Sequence, residues 1–168
     1  MSEVKALMEL ELKLREEVEG VECVDVEDDE IAGSIKLGEA MIKFCAENGG
    51  AGLAAPQVGF NKRLIVWMSK DNIFQIGFNP KFYKDGKKIN TVEGCLSYPN
   101  EQYYVQRWKY IVAVYDVPNK ERTRLVQIAR KMRGEEAIVF QHETDHTNGK
   151  TIATRGKLIE SKKGEVKI

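Results

Sequence analysis

From Gly50 onward the apolar residues stop recurring every third or fourth position and gather into short runs: LIVWM at 64–68, FQIGFNP at 74–80 and YIVAVYDV at 110–117. Gly, Pro, Asn and Asp separate these runs, which is the pattern of strands joined by turns. The connections are too short for helical crossovers, so the strands must pair mostly antiparallel. Helical patterns flank this middle region. Leu7, Leu10 and Leu14 predict a helix over roughly 3–18, and Ile35, Leu37, Met41, Phe44 and Cys45 a second over about 29–47, stopped by Gly49 and Gly50. GEEAIVFQHETDHTNG at 134–149 predicts a third, with Glu135 and Glu136 in its first turn and Gly149 near its end. Helices, then strands, then a helix is the order of an α+β fold. A chain of 168 residues suits one core, and no repeat or linker interrupts it, so residues 1–168 are expected to form one domain. The Lys-rich end, LIESKKGEVKI at 158–168, reads as a strand or a frayed tail.

Charge narrows the partners. Lys and Arg number 26 and so do Asp and Glu, leaving no net charge. Nucleic acids and anionic membranes held by bulk charge call for a basic excess, so neither is expected as a direct partner. No run approaches the roughly 18 apolar residues of a bilayer span, and the first twenty residues are charged. The expected location is the cytoplasm, or an organelle stroma or matrix, or infected host cytoplasm if the source is not bacterial. Three cysteines, Cys23, Cys45 and Cys95, are too few and odd in number for a disulfide framework.

The sharpest local signal is HETDH, which uses both histidines of the chain, His142 and His146. On a helix, positions i and i+4 share a face, so both imidazoles can reach one metal, with Glu143 beside them near a water on that metal. A catalytic site of this kind takes three protein ligands and keeps one position open. The pattern HExxHxxGxxH is closed here, because Ile152 stands where a third histidine would fall. A downstream carboxylate, Glu160 or Glu165, is a weak alternative and would make the chain a zinc endopeptidase. A structural zinc module would need four protein ligands, and only three convincing ones exist.

Cys95, in TVEGCLSYP between two strand-like runs, is the stronger third ligand, since thiolates suit borderline and soft divalent ions. Gly94 before it allows close backbone approach. Cys23 and Cys45 are expected to be buried small apolar residues. A third cluster, GAGLAAPQVG at 50–59, combines small residues that permit close packing with the amide donor Gln57; taken alone it reads as a turn feeding a strand.

Together, GAGLAAPQ, EGCLS and QHETDH resemble the three signature motifs of the peptide deformylases, GxGLAAxQ, EGCLS and QHExDH, in the same order and without a mismatch. The resemblance runs clearly from about residue 35 to 150 and includes the FNP turn at 78–80. The chain departs from the family's common HExDHLxG at Thr147, a matter of packing beneath the helix, and lacks a DPRL-like start, for which ELKLREE at 11–17 stands in.

The resemblance implies a fold of antiparallel sheets packed around a central helix that carries HExxH. It implies one divalent ion on Cys95, His142 and His146, ferrous iron first, with zinc, nickel or cobalt as substitutes. Glu143 would be the acid and base, and Gln57 with the Leu96 backbone N–H would face the carbonyl oxygen. The reaction would be removal of formate from N-formyl-methionyl nascent peptides, which places the enzyme near the ribosome. Ile138 and Val139, one turn before His142, are expected to wall the methionine pocket, and Ala51 and Gly52 to pair with the extended peptide. Glu93 and Gly94 complete the expected substrate contacts.

Overall fold

The computed structural model describes residues 9–159. Its elements, in chain order, are α1 (Ile31–Glu47), β1 (Gly52–Ala54), β2 (Leu64–Met68), β3 (Phe74–Cys95), β4 (Tyr98–Pro118), β5 (Leu125–Arg133), α2 (Gly134–Thr147), α3 (Ile152–Arg155) and β6 (Lys157–Leu158). The strands form one antiparallel sheet in the order β1-β2-β3-β4-β5, with β6 added to β4. This is the expected α+β fold, with hydrogen bonding running from strand to strand through the described residues. Register shifts at Phe78/Lys81, Asp85/Lys88 and Glu93/Cys95 bend the long β3–β4 ribbon.

The run LIVWM is apolar at every position because β2 is covered on both faces, not on one. Leu64 and Val66 join a core with Leu37, Met41 and Cys45 of α1, while Ile65 and Trp67 join another with Ala137 and Phe140 of α2. Trp67 meets Phe140 edge to face, ring centres 5.1 Å apart. Gly38 lets α1 lie close against β3, since a Cβ there would come within 2.8 Å of Ile76. The helix bearing the histidines is thus central, as expected. Ten of its fourteen residues are buried, and most of those are polar.

Three sequence expectations are corrected. The helix expected over 3–18 does not form in its described part: residues 9–14 contain no helix and only Arg15–Val18 make a 3-10 turn. Residues 3–8 of that helix lie outside the described residues. Backbone N–H groups of Lys13 and Arg15 donate to carbonyls of Gln57 and Ser97, so tertiary acceptors replace the i−4 carbonyls a helix would use. The FNP segment is a bulge within β3, not a chain-reversing turn. Asn79 there takes φ +52°, its side chain bonded to the Val26 backbone and Asp116. Cys45 is buried, and burial with the nearby Glu143 pushes its thiol up to about 12, but Cys23 is only half-buried, in an irregular surface segment. The terminal segment does contribute a short strand, β6, while residues 160–168, including Glu160 and Glu165, lie outside the described residues. Thr147 is accommodated: it is buried, and its hydroxyl donates to the Thr144 carbonyl at 2.7 Å.

Candidate metal centre and active site

Helix α2 projects His142 and His146 toward the end of β3, where Cys95 closes the strand before the turn into β4. His142 Nε2 lies 3.3 Å from His146 Nε2, and His146 Nε2 lies 3.5 Å from Cys95 Sγ. The three ligand atoms all fall within 4.8 Å of one another, and all three residues are buried. Ligand distances of about 2.1 Å for nitrogen and about 2.3 Å for sulfur put tetrahedral neighbours roughly 3.4–3.6 Å apart, which matches these contacts. Two imidazole nitrogens and a cysteine sulfur facing one point fit a borderline divalent ion.

The ring of His142 is oriented from behind. Its Nδ1 meets Glu93 Oε1 at 2.9 Å, a contact in which Nδ1–H donates to the carboxylate, and its Nε2 is directed at the cluster. Arg107 grips both Glu93 oxygens at 2.9 Å and also donates to Asp145, which Arg155 holds from the other side at 2.8 and 2.9 Å. Burial raises the Glu93 carboxyl, but hydrogen bonds from His142 and Arg107 outweigh it and hold the group well below the usual carboxylate range. Burial, with the facing His142, holds His146 well below its ordinary value, so its ring is neutral, the form that binds a metal. Sequence reasoning missed Arg107, Asp145 and Arg155. One signal was present: Tyr103, Val105 and Arg107 are buried at alternate strand positions, so an arginine stands in an inward series.

Arg107 is enclosed by two carboxylates and is 3% exposed. Arg107→Ala leaves Glu93 with His142 and Asp145 with Arg155 but removes the buried cation between them, so it is expected to destabilise the fold by about 3–5 kcal/mol in urea unfolding, whereas Arg155→Ala, on the half-exposed side, costs much less. Equal losses from the two variants would disprove the enclosed-charge account.

Glu143 is 4% exposed, and its Oε2 is buried without a protein partner among the described residues. Burial pushes its carboxyl up to about 7, against the opposing pull of His142 and Arg107. Native proteins rarely leave a buried carboxylate oxygen unpaired, and an exception in a cleft marks a functional group. Gln57 is fixed by its other end: Oε1 accepts from Ala54 N–H at 2.9 Å, and Nε2 is directed at Ser97 Oγ, 3.1 Å away, and Cys95 Sγ, 3.4 Å away.

These groups border a cavity of about 670 Å³. Its wall includes every substrate contact expected from sequence, Ala51, Gly52, Glu93, Gly94, Ile138 and Val139, together with Leu96, Gln57, Glu143 and His142. Glu93 borders it with both carboxylate oxygens already engaged. Gly52 is packed so closely that a Cβ would come within 2.8 Å of Glu143 Oε1 and 2.7 Å of Val139 Cγ1.

A helix bearing HExxH, packed against an antiparallel sheet whose strand end brings a cysteine to both histidines, defines the class of hydrolases whose side chains could hold one metal ion. The polypeptide deformylase family model matches residues 10–162, and the chain belongs to that family. A peptide deformylase of Desulforudis audaxviator is 33% identical over 130 residues, 76% of this chain and 80% of the relative. One of Thermotoga maritima is 37% identical over 118 residues, 70% and 68% of the two chains. The crystal structure of a class I type b peptide deformylase from Acinetobacter baumannii superposes with a TM-score of 0.77 at 29% identity, covering 87% of this chain and 98% of that one. The chain is therefore an enzyme that removes the formyl group from newly made polypeptides. Among the described residues, no helix is long and apolar enough to cross a membrane.

Proposed function

We propose that Cys95, His142 and His146 hold one divalent ion, ferrous iron in the native enzyme with zinc, nickel or cobalt as substitutes, and that Glu143 performs both proton transfers of deformylation. The observation that carries this reading is the buried carboxylate of Glu143, whose Oε2 has no protein partner among the described residues, beside three converging ligand atoms. The ion's contribution is Lewis acidity, which makes hydroxide available near neutral pH. Everything else comes from the chain. Glu143, poised near neutrality, takes the proton from the attacking water and returns it to the leaving amino group. Gln57 Nε2–H and the Leu96 backbone N–H donate to the formyl oxygen as it gains charge. Glu93 serves the substrate indirectly, by fixing the tautomer and orientation of His142.

Selectivity follows from space. A formyl carbon carries only hydrogen, so a site closed tightly around it rejects the methyl of an acetyl group. Ile138 and Val139 wall the methionine side chain. β1 is an edge strand, and an extended peptide pairs along it at Ala51 and Gly52, with Gly94 across the cleft. The substrates are N-formyl-methionyl nascent chains met near the ribosome, in the cytoplasm.

Anaerobic purification, metal analysis and formate release from formyl-Met-Ala-Ser on one sample test this reading. One ion per chain and formate release are expected, with activity of the iron form decaying in air while a nickel form persists, because nickel is far less readily oxidised. Equal lifetimes would count against iron, and no formate from any form would sink the reading.

A further inference from the structure

The segment that failed to become a helix touches the site from behind at two points. Lys13 N–H donates to the Gln57 carbonyl at 2.7 Å, and Arg15 N–H to the Ser97 carbonyl at 2.8 Å. The acceptors belong to distant parts of the chain. Gln57 lies in the 3-10 turn Ala55–Val58 after β1, and Ser97 in the turn between β3 and β4, next to Leu96. Alternate residues of an extended segment direct their N–H groups to one side, so Lys13 and Arg15 bridge the two.

Arg15 is itself strained and pinned. Its φ is +48°, in the left-handed region that residues other than glycine enter at a cost. Its guanidinium donates to Glu101 at 2.5 Å and lies over the Tyr98 ring, 5.7 Å from the centre. Tyr98 in turn donates to the Glu19 carboxylate and sits 3.1 Å from Thr151 Oγ1. Tyr98 and Glu101 both border the substrate cavity. A strained residue persists only where its surroundings over-determine it, and such residues cluster at functional sites.

We propose that Arg15 is a positioning residue: pinned to Glu101 and Tyr98, it clamps the Leu96–Ser97 turn at a set distance from Gln57, so that both donors meet the formyl oxygen together. This rests on the reading that Gln57 and the Leu96 N–H face that oxygen. Donors displaced by a fraction of an ångström lose more in the transition state than in the bound substrate, so the cost falls on kcat and spares KM.

The test uses the full metal-loaded chain and five variants, Arg15→Ala, Arg15→Gly, Arg15→Lys, Glu101→Gln and the double variant Arg15→Ala/Glu101→Gln. Readouts are kcat and KM for formyl-Met-Ala-Ser, metal content, and amide hydrogen exchange of segments 13–20 and 95–98. Arg15→Ala is expected to lower kcat on the order of tenfold with KM within about twofold, since a 1 Å misplacement can cost about 10²-fold. Metal content should stay at one per chain, and exchange in 95–98 should quicken. Glu101→Gln should act in the same direction, and adding it to Arg15→Ala should cost little more, because both break the Arg15–Glu101 pair. Arg15→Lys keeps the ion pair and should recover part of kcat. Arg15→Gly relieves the backbone strain but loses both pins, so it should behave like Arg15→Ala. Wild-type kcat in the Ala or Gly variant, or quickened exchange with kcat unchanged, would overturn the clamp while leaving deformylation intact. A wild-type chain that releases no formate would instead defeat the reading on which the clamp rests.

Discussion

Glu143→Ala is expected to lower kcat for formate release by about 10²–10⁴-fold, the usual worth of positioned acid and base help, while the chain still carries one divalent ion. The two effects separate because Glu143 is not among the three converging ligand atoms: its Oε1 stands 4.0 Å from His142 Nε2, and its Oε2 has no protein partner among the described residues. Stability should move the other way. A buried carboxylate without a partner costs free energy to keep, so its removal should leave the midpoint of urea unfolding unchanged or raised. Metal analysis, kcat and an unfolding curve on one preparation check all three. Loss of metal together with activity would make Glu143 structural, and a large loss of stability would show that the carboxylate has a partner that the contacts described above omit.

Cys95→Ala should abolish tight metal binding, and formate release with it. Replacing groups that merely orient metal ligands typically costs about 10–100-fold in affinity or activity, and removing one of three ligands should cost more. The fold should survive. Cys95 closes β3 through backbone pairing with Tyr98, and its side chain is small, so the expected signature is a folded chain of wild-type secondary structure without its ion. This variant also separates the deformylase site from a zinc endopeptidase using a downstream carboxylate, which would keep its metal. Full occupancy by elemental analysis in the Cys95→Ala protein would defeat the assignment.

Much of the site was legible along the chain because its parts are local. His142 and His146 are one helical turn apart, and helix geometry alone brings both imidazoles to one face, with Glu143 beside them. Cys95 and Gln57 stood out by residue type within short motifs, and the family resemblance joined them across nearly forty residues. The strand runs at 64–68, 74–80 and 110–117 fall within β2, β3 and β4, since alternation and turn residues act over a few positions. β5 went unread because LVQIARKMR mixes exposed cations with apolar residues, and only pairing along β4 makes it a strand.

Residue identity and spacing determined which chemistry this protein carries: two imidazoles, a carboxylate and a thiolate in motifs whose local geometry needs no distant partner. Tertiary structure alone decided what holds them. Leu10 and Leu14 continue a helical stripe, yet the segment runs extended because carbonyls of Gln57 and Ser97, far away in sequence, offer its N–H groups better partners than its own backbone. Arg107 reads as a surface charge until folding encloses it between Glu93 and Asp145. Such pairings depend on which residues meet across the fold, and that is set by packing the whole core, to which no short window of sequence has access.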